Sequence, residues 1–232
     1  MVSFALIPLL LLGCDNPPAR GPVQKTNETK IHATVITIRT TIQPANKIYT
    51  HTIFIANDRA RSGDEVDEWR LFDFARKTVT FVDDLGRTYR NEPFADVVTS
   101  HQARLTQDLP DGIPRAQFSV TGAQKTLQGV LARQSVIHLG AYRRELWIAS
   151  HPLVPEGLFA MLQASEPVSS PLDGVMRAVD AALLEVKGFP IEDHAELPYE
   201  NQVLVVDNTV VKIEQRDVPA SWLNVRSDYK RQ

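Results

Sequence analysis

"LFDFARKTVTFVDDLGRTY" runs from Leu71 to Tyr89, and its reading decides how the rest of the chain is understood. Two short apolar runs rich in β-branched and aromatic residues are interrupted by Asp, Gly and basic residues. Strands send alternate side chains to opposite faces, and Asp and Gly favour turns, so the pattern reads as strands joined by tight turns. "WRLFDF" (69–74) and "KTVTFVD" (77–83) form a hairpin around Ala75 and Arg76. "DDLG" (83–86) is a second turn leading to "RTYRNE", with Gly86 suited to a left-handed backbone position. Strands spaced this closely predict an antiparallel meander, because a parallel pair needs a crossover of about a dozen residues or more.

The same reading extends in both directions. Upstream, "IHATVITIRTTI" (31–42) sets Ile36, Ile38 and Ile42 on one face of a strand, and "KIYTHTIFIA" (47–56) follows a turn at Pro44-Ala45-Asn46. "NDRARSGDEVDE" (57–68) reads as a polar loop, and its acidic cluster lacks the alternating ligands of a calcium loop. Downstream, Pro93 opens a helix in which Phe94, Val97, Val98, His101 and Leu105 make one stripe. Strands resume with "AQFSV", "GVLARQSVIHLG" (129–140) and "AYRRELWIAS" (141–150), where Tyr142, Leu146 and Ile148 oppose Arg143, Glu145 and Trp147. Two helices follow, one near Pro155–Ala164 and one after Ser170, which is placed as its N-cap with Pro171 at the first helical position. Met176, Val179 and Leu183 lie on the apolar stripe of the second, and Gly188 with Pro190 ends it. "NQVLVVD" and "TVVKIEQR" then read as two strands joined at Asp207-Asn208. This order predicts an α+β fold, a mostly antiparallel sheet too long to lie flat with helices on one face.

Bulk composition narrows function by exclusion. The chain has 232 residues and a net charge of −3, with no Lys/Arg block of the kind a nucleic-acid backbone demands. One cysteine makes no intramolecular disulfide and no Cys-based zinc cluster. There is no nucleophile elbow, phosphate loop, zinc helix or dinucleotide fingerprint, and the six histidines are scattered singly, so no catalytic residue, metal or cofactor is expected.

The lone cysteine, Cys14, follows an uncharged run in which Phe4 to Leu12 is apolar apart from Pro8. That run is shorter than the roughly 20 residues a membrane-spanning helix needs, and it fits the apolar core of a signal peptide over residues 1–13. "DNPPARGPVQKTNETK" (15–30) is too polar to bury a core, so residues 14–30 read as a tether and 31–232 as one domain. Leu11-Leu12-Gly13-Cys14 resembles the bacterial lipobox, whose cysteine is acylated before cleavage. That resemblance implies a permanent lipid anchor, since more than one chain is needed for stable attachment. Asp15, directly after it, resembles the signal that retains lipoproteins at the inner membrane facing the periplasm, with the outer membrane as the other destination.

"LFDFARKTVTFVDDLGRTY" and "LQGVLARQSVIHLGAYRRELWIA", together with "GFPIE" and "VPASWLNV", resemble domains of the LolA/LolB lipoprotein-localisation type across roughly residues 32–230. The resemblance implies a half-open antiparallel β-barrel whose helices cover its concave face, and a cavity for a lipid, an acylated protein or another hydrophobic ligand. Ile36, Ile38, Phe54, Trp147, Met176 and Val179 are its candidate lining residues. Two other classes stay open: an envelope scaffold with no ligand cavity, and a hydrolase whose site the sequence does not mark.

Overall fold

The computed structural model describes residues 28–63, 68–106, 115–166, 173–199 and 201–232. Strands β1 (Lys30–Gln43), β2 (Lys47–Ala56), β3 (Arg59–Gly63), β4 (Glu68–Asp73), β5 (Thr78–Asp83) and β6 (Thr88–Pro93) lead into helix α1 (Phe94–Thr106). Strands β7 (Gln117–Leu127), β8 (Val130–Leu139) and β9 (Tyr142–Ala149) precede helices α2 (Leu158–Ala164) and α3 (Asp173–Leu183). Strands β10 (Phe189–Tyr199), β11 (Gln202–Pro219) and β12 (Lys230–Arg231) close the chain. All twelve strands join one open, curved sheet in the order β12-β6-β5-β4-β3-β2-β1-β11-β10-β9-β8-β7. Every pairing is antiparallel except β12 with β6. The α+β class and the meander follow the sequence expectation.

The meander repeats one turn. Four residues separate Asp73 from its partner Thr78, and four separate Asp83 from Thr88. In each loop the Asp carboxylate accepts a backbone N–H three residues on, from Arg76 at 2.8 Å and from Gly86 at 2.7 Å. The left-handed residues are Lys77 (φ 53°) and Arg87 (φ 51°), not Gly86. A Cβ at 86 would lie 2.4 Å from an Asp83 carboxylate oxygen, so a larger residue there would make that carboxylate shift from its place beside the Gly86 N–H.

Two further expectations change. "RARSG" inside the expected polar loop is strand β3, pairing with both β2 and β4. Its Arg61 is buried with its guanidinium 4.1 Å over the Trp69 ring, so packing outweighs polar composition. Asp207 and Asn208 lie in the middle of β11 rather than at a turn, held between β1 and β10 on either side. Asp64, Glu65 and Asp67 of the acidic cluster, and Ser170 and Pro171, lie outside the described residues.

Both faces of the sheet are covered in part. On one, Ile36, Ile38, Ile53, Phe72 and Leu146 share a core with Val97 of α1, Phe159 and Leu162 of α2, and Val179 and Leu183 of α3. On the other, Val35, Trp69, Leu71 and Val82 pack beneath Leu223 and Tyr229 of the C-terminal segment. Period-2 alternation explains the division, as Val35 and Ile36 are neighbours in sequence and belong to opposite cores.

Candidate functional site

Among the described residues, the six expected to line a cavity lie in different surroundings. Ile36, Ile38 and Val179 are fully buried in the helix-side core, and Met176 is buried as well. Phe54 is one residue out of phase with Ile53 and so faces away from that core, edge-on to Trp222 with ring centroids 4.7 Å apart. Trp147 is likewise out of phase with Leu146, and the Lys125 ammonium lies 4.0 Å from its ring centroid. Strand parity therefore turns Phe54 away from the others, while Trp147, half-buried, packs against the edge of the helix-side core.

An open groove of about 740 Å³ lies instead where β7, β8 and β9 run beyond the helices. Its floor continues the helix-side face. Phe118 is opposite Ile137 and Val120 opposite Ser135 across β7 and β8, while Arg133 is opposite Ile148 across β8 and β9. Along β8, Ile137 is fully buried, but Leu131 on the same face is 55% exposed, and Val120 on β7 is 62% exposed. Arg133, on the floor between Leu131 and Ser135, and Glu185 and Lys187 just after α3 supply charge to the lining. Gly188 lets the chain turn back tightly there (φ 108°), since a Cβ would meet the Ala149 carbonyl oxygen at 2.9 Å. The groove and its apolar floor were not among the sequence expectations. The one available signal was that Leu131 lies six residues before Ile137, on the same strand face.

The covered part of the same face holds a buried polar ladder. Arg144 on β9 donates through Nε and Nη2 to the two Asp193 oxygens of β10, each at 2.7 Å. Asn208 on β11 donates to Asp193 at 2.9 Å, and Thr40 on β1 donates to Asn208 at 2.7 Å. Arg144 and Asp193 side chains are each 2% exposed. Burial works against the Arg144 charge, but the Asp193 carboxylate outweighs it and holds the guanidinium above its ordinary pKa. Burial pushes the neighbouring Tyr142 phenol up to about 12, against the pull of Arg144. A second ion pair, Arg70 to Glu166 at 2.8 Å, ties β4 to the end of α2.

Two titratable groups on the helices are shifted chiefly by burial. Asp180 of α3 is raised to about 7 by burial, with Arg144 opposing and Glu166 reinforcing the rise. Its Oδ1 is buried and has no hydrogen-bond partner among the described residues. His101 of α1 is lowered to about 4 by burial and then by Arg104, and neither ring nitrogen has a partner among those residues. Away from the helices, partial burial alone would lower His194, but its bonds to Asp207 (2.6 Å) and Glu196 (3.0 Å) raise it. The bidentate Arg144–Asp193 pair satisfies both charges, and with Asn208 and Thr40 the ladder ties β9, β10, β11 and β1 together.

Cys14 and Asp15 lie outside the described residues. No helix among the described residues is long and apolar enough to cross a membrane. No protein-family model matches the chain. No curated protein matches it either. Among solved structures it is similar to PNGF-II at 11% identity and a TM-score of 0.44, over 86% of this chain and 31% of that one. The chain thus spans less than a third of the PNGF-II chain it matches. It is also similar to an uncharacterized conserved protein from Thermus thermophilus, at 10% identity and a TM-score of 0.41, over 86% of this chain and 89% of that one. A DUF1329 family protein from Desulfovibrio piger aligns at 11% identity with a TM-score of 0.20, over 83% of this chain and 89% of the other.

Proposed function

We propose that this protein is a lipid-anchored, non-enzymatic component of the bacterial cell envelope that holds an acyl chain in the β7–β9 groove. In this reading Cys14 carries the anchor, Asp15 keeps it at the inner membrane, and the helices lie over the hollow side of the curved sheet. The observation that carries the proposal is the groove itself. Its size falls within the roughly 300–1,000 Å³ of small-molecule sites, and its floor exposes Leu131 and Val120 to water. Contiguous apolar surface of that kind marks a binding site more often than a bare exterior. Arg133 and Lys187 in the lining suit the negative head of a fatty acid or lipid, whose tail would cover Leu131 and Val120.

Titration with cis-parinaric acid, whose fluorescence rises in an apolar site, tests the groove. The wild-type protein is expected to bind it, and Leu131→Asp to weaken binding about tenfold or more, because a carboxylate must then be desolvated beside the chain. Leu131 is exposed, so that substitution leaves the folded state nearly as stable, and an unchanged affinity would remove the groove from consideration. The anchor has its own measurement: metabolic incorporation of a fatty-acid probe is expected in the wild type and absent in Cys14→Ala.

A further inference from the structure

On the face of the sheet opposite the groove, a second cleft of about 430 Å³ opens between strands β3 to β6 and the C-terminal segment. Four arginines line it, Arg59, Arg76, Arg226 and Arg231, against a single lining carboxylate, Asp73. The whole chain carries a net charge of −3, so this concentration of cations is local. Asp73 is already occupied. It accepts from Arg59 Nε at 3.2 Å and from the Arg76 backbone at 2.8 Å, and Arg76 Nε lies 4.0 Å away.

The other two arginines are less compensated. Arg226 faces Asp228 at 3.6 Å, where both side chains are at least half exposed and the attraction is largely screened. Arg231 forms no ion pair among the described residues. The floor between these cations is polar in a regular way. Thr80 of β5 is opposite Asn91 of β6 and donates to its side-chain oxygen at 3.1 Å, and Thr78 lies on the same face.

The C-terminal wall is held in place. Tyr229 donates to Asp84 at 2.6 Å, and Arg59 donates to Asn224 at 3.1 Å. The Lys230 and Gln232 backbone N–H groups bond to the carbonyls of Arg87 and Tyr89, each at 2.9 Å, which sets β12 along the β6 edge. Arg226 and Arg231 are therefore carried on a fixed segment and brought to the cleft by the fold.

We propose that this cleft binds a phosphate group, borne either by an anionic lipid head group or by a small soluble phosphate. Guanidinium forks match the oxygens of a tetrahedral oxyanion in pairs, and clustered like charges at a concave surface focus the field on such a ligand. The Thr78 hydroxyl and the Asn91 amide N–H groups offer hydrogen bonds to the remaining oxygens. The site lies on the other face from the acyl groove and does not depend on it.

The test is calorimetric titration of the full chain in dodecyl maltoside with inorganic phosphate, and separately with glycerophosphoglycerol, a head group without acyl chains that could enter the groove. Binding of inorganic phosphate identifies a soluble phosphate as the source, and binding of glycerophosphoglycerol alone identifies the lipid head group. In either case Arg226→Gln with Arg231→Gln is expected to weaken binding about tenfold or more, with the melting midpoint close to that of the wild type. Arg76→Gln, whose side chain is 75% exposed and whose loss leaves the fold intact, is expected to weaken it about threefold. The proposal is overturned if the wild type binds neither probe, or if a folded variant, Arg76→Gln included, binds as tightly as the wild type.

Discussion

The helix-side face of the sheet has two ends that reverse the usual rule of apolar inside and polar outside. Under the helices its floor buries Arg144, Asp193, Asn208 and Thr40, none of them more than 5% exposed. Beyond the helices its floor exposes Leu131 and Val120. Buried polar groups and exposed large apolar groups are the informative departures in a globular protein, and here they share one surface. At the covered end these four groups are satisfied from within, each bonding the next. The open end has an apolar surface with no such internal answer. The comparison therefore sets a cross-linked floor at one end against an exposed apolar floor, the proposed acyl site, at the other.

The largest expected effect breaks the covered end. Arg144→Ala leaves the Asp193 carboxylate buried without its cation, and loss of one partner of such a pair costs about 3–5 kcal/mol. Urea unfolding followed by circular dichroism would read this as a marked fall in midpoint. Removing both charges, as Arg144→Met with Asp193→Leu, is expected to recover much of the loss, since an apolar pair avoids the desolvation cost. If the double variant is as unstable as the single one, the ladder stabilises through its bonds to Asn208 and Thr40 and not through charge compensation.

The same contrast explains what could be read in the sequence. The turns at Asp73 and Asp83 were legible because everything that fixes them lies within a few residues: a carboxylate and an N–H three positions on. Asp207-Asn208 has equally good local turn chemistry and is mid-strand. Asn208 bonds to Asp193 and to Thr40, partners 15 and 168 residues away, and no local pattern announces them. Strand β3 was hidden for the same reason, its polar residues acquiring burial only through β2 and β4. Of the expected cavity residues, Ile36, Ile38, Met176 and Val179 were legible as buried positions, but strand phase set Phe54 on the other face and left Trp147 half-buried beside the Lys125 ammonium. The groove was illegible because Leu131 and Ile137 have the same phase on one strand. What separates them is where the helices stop covering the sheet.

A smaller effect sharpens the comparison through pH. Asp180 faces the ladder from α3, and its folded-state pKa of about 7 lies above its ordinary 3.8, so the folded protein holds this proton more tightly than the unfolded chain. Its contribution is therefore fully present below about pH 4, falls as pH rises toward 7, and is constant above that. At about 1.36 kcal/mol per unit the loss is at most about 4 kcal/mol, and the solvent reaching this partly exposed residue reduces it. His101 has the opposite sign: with a pKa lowered from 6.5 to about 4, it removes stability as pH falls through that window. The two slopes oppose each other between pH 4 and 6.5, which gives the wild type a flatter profile there than either group alone would produce. Asp180→Asn keeps the shape of the side chain and removes its proton, so its melting midpoint should match the wild type near pH 4 and exceed it increasingly up to pH 7. A constant difference across that range would mean that Asp180 does not titrate against the buried ladder, and the covered end would then owe nothing to the protonation of its helix.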